Sequence, residues 1–194
     1  MPADATRRRL RTAALELFVE QGVAETTTRD LAKKAGIAEG TIYRHFESKD
    51  ELVRDLFQDH YFRFGAELNR IQAETPGGID AKLRAMIEFM CRLYDEEPTL
   101  YRFLLLVQHT ALPNIRTAPT SPAVIFRGLV SRAIQHGEIP EQNPSLAASM
   151  IVGSIMQPAH GLIYGSLSGT MSNFASAIAS ACSALLRAPQ PAIN

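Results

Sequence analysis

The sequence predicts an all-α protein: an N-terminal three-helix head with a helix-turn-helix, joined by a long helix to a larger helical body. Three observations lead there. Apolar residues recur at helical spacing through most of the 194 residues, and no stretch shows convincing strand alternation or an internal repeat. Thr27–Asp30 and Ser48–Glu51 have the spacing of capping boxes, in which a hydroxyl and a carboxylate close the start of a helix reciprocally. Glycines or Pro-Gly stretches stand where periodic runs must stop, at Gly22, Gly36, "TPGG" 75–78 and Gly137.

Each element follows from those signals. Residues 6–21 carry Leu10, Ala13, Ala14, Leu17 and Phe18 on one stripe, and Gly22 ends it. Thr27 caps a helix over 28–35, and Gly36 supplies the positive φ of a tight turn. A short helix is expected over 39–46, with Leu31, Ala35, Ile37 and Ile42 packing together and Ala32 small at the close approach. Ser48 starts a helix that runs to about Ala73. Beyond the break, helices are expected near 79–95, 98–110, 123–136, 144–165 and 171–187. Pro98 and Pro144 suit first helical turns, and Pro158 lies inside a helix it should bend. "LPNIRTAPTSP" 112–122 is a loop, and "APQPAIN" is a frayed tail. The expected domains are 1–50 and 51–194.

Composition excludes several classes. Cys91 and Cys182 are far apart, and there is no CxxC or Cys/His cluster, so neither a disulfide framework nor a zinc site is expected. No metal or cofactor is expected. The basic start, Arg7, Arg8, Arg9 and Arg11, is not followed by the apolar run of a signal peptide. Met150–Gly165 is interrupted by Gln157, Pro158 and His160, so no membrane span is expected there. The expected location is the cytoplasm. No nucleophile elbow, phosphate loop or metal-binding helix motif argues for an enzyme. An all-helical enzyme, or an interaction protein with a non-functional head, is the alternative.

The chemistry concentrates in "GTIYRHF", residues 40–46. With Ile42 turned inward, the polar side chains around it must point outward, as a helix entering the DNA major groove requires. Arg44 can donate a bidentate pair to guanine, and Thr41 can meet a base edge or a thymine methyl. Gly40 lets the backbone approach. Tyr43, His45, Lys49 and Thr28 suit phosphates. Glu39 is expected to stay in solvent. Tyr43 and Phe46 have a bland reading as core residues, which fits Phe46.

The stretch "TTTRDLAKKAGIAEGTIYRHFESKDEL", 26–52, resembles the DNA-binding region of the TetR family of transcriptional regulators. The resemblance covers roughly residues 6–57. It implies a repressor that binds a palindromic double-stranded DNA operator as a homodimer and is released by a small-molecule inducer. It also implies that Thr28, Arg29, Glu39, Gly40, Thr41, Tyr43, Arg44, His45 and Lys49 face DNA. The chain departs from the family at Ala38, where Ser or Thr is common, so the recognition helix loses its N-cap.

In the body, His109, Gln157 and His160 are polar groups inside apolar runs. The candidate ligand residues are Phe89, Phe103, Val107, Phe126, Gln157 and His160. Small residues on the last two helices are compatible with the family's pairing of these helices between subunits, and equally with packing inside one chain.

Overall fold

A computed structural model describes residues 2–107 and 119–188. His109, residues 112–118 of the proline-rich stretch and the tail from 189 lie outside the described residues. Among the described residues the chain forms nine helices and no strand. They are α1 (Pro2–Gln21), α2 (Thr28–Ala35), α3 (Glu39–Ile42), α4 (Lys49–Glu74), α5 (Ile79–Glu96), α6 (Pro98–Val107), α7 (Pro122–Gln135), α8 (Pro144–Ile163) and α9 (Met171–Arg187).

The chain divides into two compact units. One comprises Met1–Tyr61 with Pro98–Pro113, and the other Phe62–Glu97 with Asn114–Asn194. The helix at 98–107, which the sequence reading placed in the body, thus groups with the head, and α4 belongs to both units.

In the first unit α1 packs on α2 and α6, and α2 packs on α3. Leu10, Ala14, Phe18, Leu31, Ile42 and Phe57 are buried there. Phe103 of α6 joins this core, its ring centroid 6.2 Å from Phe18 and 6.4 Å from Phe57. The basic start of the chain has a structural partner. Arg7 and Arg11, one turn apart on α1, pair with Asp55 and Asp59, one turn apart on α4. The Arg7 guanidinium also lies over the Phe46 ring, 5.0 Å from its centroid.

In the second unit α5 packs on α9, and α8 packs on α7 and α9. Side chains from distant segments help close two helix starts, that of α9, where Thr170 also accepts from the Asn173 N–H, and that of α5. Asp95 of α5 accepts from the N–H groups of Met171 and Ser172, each at 2.9 Å. Glu138 accepts from the N–H of Ile79 at 2.6 Å. A Cβ on Gly78 would lie 2.5 Å from that Glu138 oxygen, so a side chain there would make the Glu138 carboxylate shift. Gly65 admits residue 120 in the same way, since a Cβ would lie 2.2 Å from the Thr120 carbonyl oxygen.

α8 continues through Pro158. By length and composition it is apolar enough to cross a membrane, and a third of that window is buried. Ala147, Ala148, Ile151, Ile155 and Ala159 form its buried side, which is also how a core helix reads. Its other side leaves Met150, Gly153 and Gln157 exposed, and α9 exposes Ala177, Ala181 and Ala184. Both cysteines are buried. Burial, with Asp95 and Glu88 nearby, pushes the Cys91 thiol up to about 11.

Candidate nucleic-acid interface

α2 is finished at both ends. The Thr27 hydroxyl accepts from the Asp30 N–H, and the Asp30 carboxylate accepts from the Thr27 N–H. Those bonds, with Lys33 and Arg29 nearby, hold the Asp30 carboxyl below its usual range. At the other end Gly36 turns left-handed, with φ 62° and ψ 45°. Its N–H donates to Lys33 O and the Ile37 N–H to Ala32 O, the paired bonds of a Schellman cap. Arg9 of α1 then donates to the carbonyls of Ala35 and Gly36.

α3 is shorter than expected. Regular helix covers Glu39–Ile42, and residues 43–45 form turns. Two causes are visible. Ala38 offers no side-chain cap, and the N–H groups of Thr41, Arg44 and His45 bond three residues back. Ile42 and Phe46, 1% and 2% exposed, fix the segment to the head. Burying such side chains contributes about 1.5–3 kcal/mol each.

The predicted residues fall into two groups. Arg29, Gly40, Tyr43 and Arg44 are exposed, and Thr41 and His45 are half-buried. Among the described residues, Arg29 and Arg44 form no ion pair. Thr28, Glu39 and Lys49, in contrast, are engaged within the head. The Thr28 hydroxyl donates to Glu39 Oε1 at 2.6 Å, tying the start of α2 to the start of α3. Glu39, expected in solvent, is therefore exposed but hydrogen-bonded. Lys49 Nζ donates to the carbonyls of Val23, Thr26 and Ala24, at 2.7, 2.9 and 3.3 Å. That bond set fixes the α1–α2 connection to the first turn of α4.

Sequence reasoning missed the Lys49 clamp and the Thr28–Glu39 bond. It missed the Arg7/Arg11 pairing too, although matched four-residue spacings of Arg and Asp were there to be read.

The candidate ligand residues are divided between the two units. Phe103 and Val107 are buried in the first unit. In the second, Phe126 is buried, Phe89 stacks on Phe64 at 5.8 Å, Gln157 is exposed and His160 lies beside Tyr164. A cleft of about 530 Å³ in that unit is lined by none of the six.

An all-α chain that shows a capped helix-turn-helix with unpaired arginines on its outer face has the architecture of a helix-turn-helix regulator. Its head is similar to that of the tetR family: the family model described as bacterial regulatory proteins, tetR family, matches residues 10–56. The uncharacterized HTH-type transcriptional regulator YvkB of Bacillus subtilis is 36% identical over 69 residues, 36% of each chain. The match thus spans about a third of that relative's length. The fatty acid metabolism regulator protein of B. subtilis is 28% identical over 150 residues, 74% of this chain and 76% of the relative. In fold, the chain is similar to the transcriptional regulator FadR from B. subtilis in complex with stearoyl-CoA. The TM-score is 0.74, at 22% identity, covering 90% of this chain and 96% of that one.

Proposed function

We propose that the protein is a ligand-responsive transcriptional repressor. It binds a palindromic DNA operator as a homodimer, and a small molecule releases it. The observation that carries the reading is the outer face of the helix-turn-helix. Arg29 and Arg44 stand exposed and unpaired there while Ile42 and Phe46 anchor the same segment from beneath. Arg44 reads a base, with Thr41 beside it, and Gly40 admits the DNA backbone. Tyr43, His45, Arg29 and the start of α2 at Thr28 hold phosphates. Lys49 and Glu39 act through the clamp and the bond to Thr28, which set the posture of α3.

One short reading segment gives little selectivity, so two copies are needed. The exposed faces of α8 and α9, with Met150, Gly153, Ala177 and Ala181, supply the surface for pairing. The ligand acts on the second unit, where Phe89, Phe126, Gln157 and His160 are candidate contacts. It is apolar, with at least one hydrogen-bonding group. Stearoyl-CoA, present in the B. subtilis neighbour, is the first compound to try.

Selection of bound duplexes from a random DNA pool tests this reading. A recovered palindrome supports it. Recovery of unrelated sequences, or of a single asymmetric site, removes the dimeric operator from the account.

A further inference from the structure

The cleft of about 530 Å³ in the second unit lies outside every residue the sequence suggested. It is framed by the last turns of α4 and α7 and the first turn of α5, all within that unit. We propose that this cleft binds a small organic anion, a carboxylate or phosphate ester head on a short apolar body. The proposal rests on the reading that the second unit receives a small molecule, and it names the site and the chemistry.

The charges carry the argument. Lys82 Nζ donates to the Gln72 main-chain carbonyl at 2.7 Å, and Arg132 donates to the Gln72 side-chain oxygen at 2.7 Å. Two cations are thus gathered on one neutral residue. Among the described residues neither is paired with a carboxylate. Each keeps further N–H donors, since an ammonium has three and a guanidinium five. Both cations line one cleft, and an anion bound there is attracted by each.

The acid that lines the cleft, Glu138, forms no ion pair with either cation among the described residues. Glu138 accepts from the Ile79 N–H at 2.6 Å. Its other oxygen is 3.9 Å from His136 Nδ1. The lining also includes Ile79, Leu129 and Ala133, each under 6% exposed. Donors beside an apolar wall, in a volume within the usual range of about 300–1,000 Å³, suit an amphipathic anion.

The test is a backbone-amide NMR titration of the full chain at fixed ionic strength. The probes are hexanoate and hexyl phosphate, with hexan-1-ol and hexyltrimethylammonium as controls. Saturable shifts are expected at residues 69–82 and 129–138 with at least one anion and with neither control. The tighter anion identifies the head group. Arg132→Gln and Lys82→Gln should each weaken binding at least five-fold with an unchanged melting temperature. Shifts that only track added sodium chloride would overturn the proposal. So would saturable binding that survives in both variants, or that maps instead to Phe89 and Phe126.

The same samples titrated with selected operator DNA separate the two readings. An anion that fills the cleft but leaves DNA affinity unchanged supports the site and defeats its role in release. A different compound that releases DNA equally from wild type and from the Lys82→Gln/Arg132→Gln double variant, with neither anion bound in the cleft, defeats the site and leaves release intact.

Discussion

Across the turn at Gly36, α2 and α3 are built in opposite ways. α2 has a reciprocal capping box at its start, a Schellman cap at its end and an arginine from α1 on its last carbonyls. α3 has four helical residues, an alanine where a cap could stand and turns in place of a second helical turn. Both bury apolar residues against the same core. Local hydrogen bonding therefore holds α2, whereas α3 depends on Ile42, Phe46 and the Thr28–Glu39 bond. The helix that supports is finished before any partner arrives. The segment that faces outward has no side-chain cap at its start.

The largest expected effect breaks function on the α3 side without touching the fold. Arg44 is exposed and unpaired, so Arg44→Ala should leave the melting temperature unchanged. Affinity for the selected operator should fall by about 1–3 kcal/mol, measured by fluorescence anisotropy, with selectivity relaxed at one base pair. Wild-type affinity in the variant would remove Arg44 from the base-reading role.

The same contrast shows what a sequence makes legible. Thr27, Asp30 and Gly36 act within one turn of each other, and their spacing alone predicts both ends of α2. Asn143 before Pro144 is the same kind of signal, and Asn143 does accept from the N–H groups of Ser145 and Leu146. Ser48 is an intermediate case. Its hydroxyl accepts from the Glu51 N–H, but the Glu51 carboxylate turns to the N–H of Glu47, one residue before the place a capping box requires. Long-range bonds had no local signal. Asp95 closing α9 spans 76 residues and Glu138 closing α5 spans 59. Gln72 meets Lys82 and Arg132 only because three elements converge. The cleft was invisible for that reason. Gln157 and His160 drew notice as polar residues in an apolar helix, and composition could not say which face they occupy.

A smaller effect sharpens the comparison by finishing α3. In Ala38→Ser the new hydroxyl can accept from a first-turn N–H of α3, as Thr27 does for α2. The gain in head stability should be about 0.5–1 kcal/mol, read from the urea midpoint. Operator affinity should rise with it if ordering α3 is part of the cost of binding DNA. A stabilised variant with unchanged affinity would mean that α3 is already fully formed before DNA arrives.

The smallest expected effect concerns the charge in the α2 box. Asp30 is held below its usual 3.8, first by the Thr27 hydroxyl, then by the Thr27 N–H, with Lys33 and Arg29 adding attraction. A carboxyl with a lower value in the folded state takes up its proton first in the unfolded chain. Its contribution is therefore fully present at neutral pH, and it fades as pH falls through the folded value. Asp30→Asn keeps one acceptor oxygen for the Thr27 bonds, removes the charge and replaces the second oxygen by an amino group. Wild type should be slightly the more stable at pH 7, and the difference should shrink steadily once the solution is more acidic than about pH 4. Urea midpoints for both proteins at pH 7, 5, 4 and 3 read it directly. Because the group is partly exposed, added salt should also reduce the difference at pH 7. A difference that stays flat with pH would show that the geometry of the box, and not its charge, holds the start of α2.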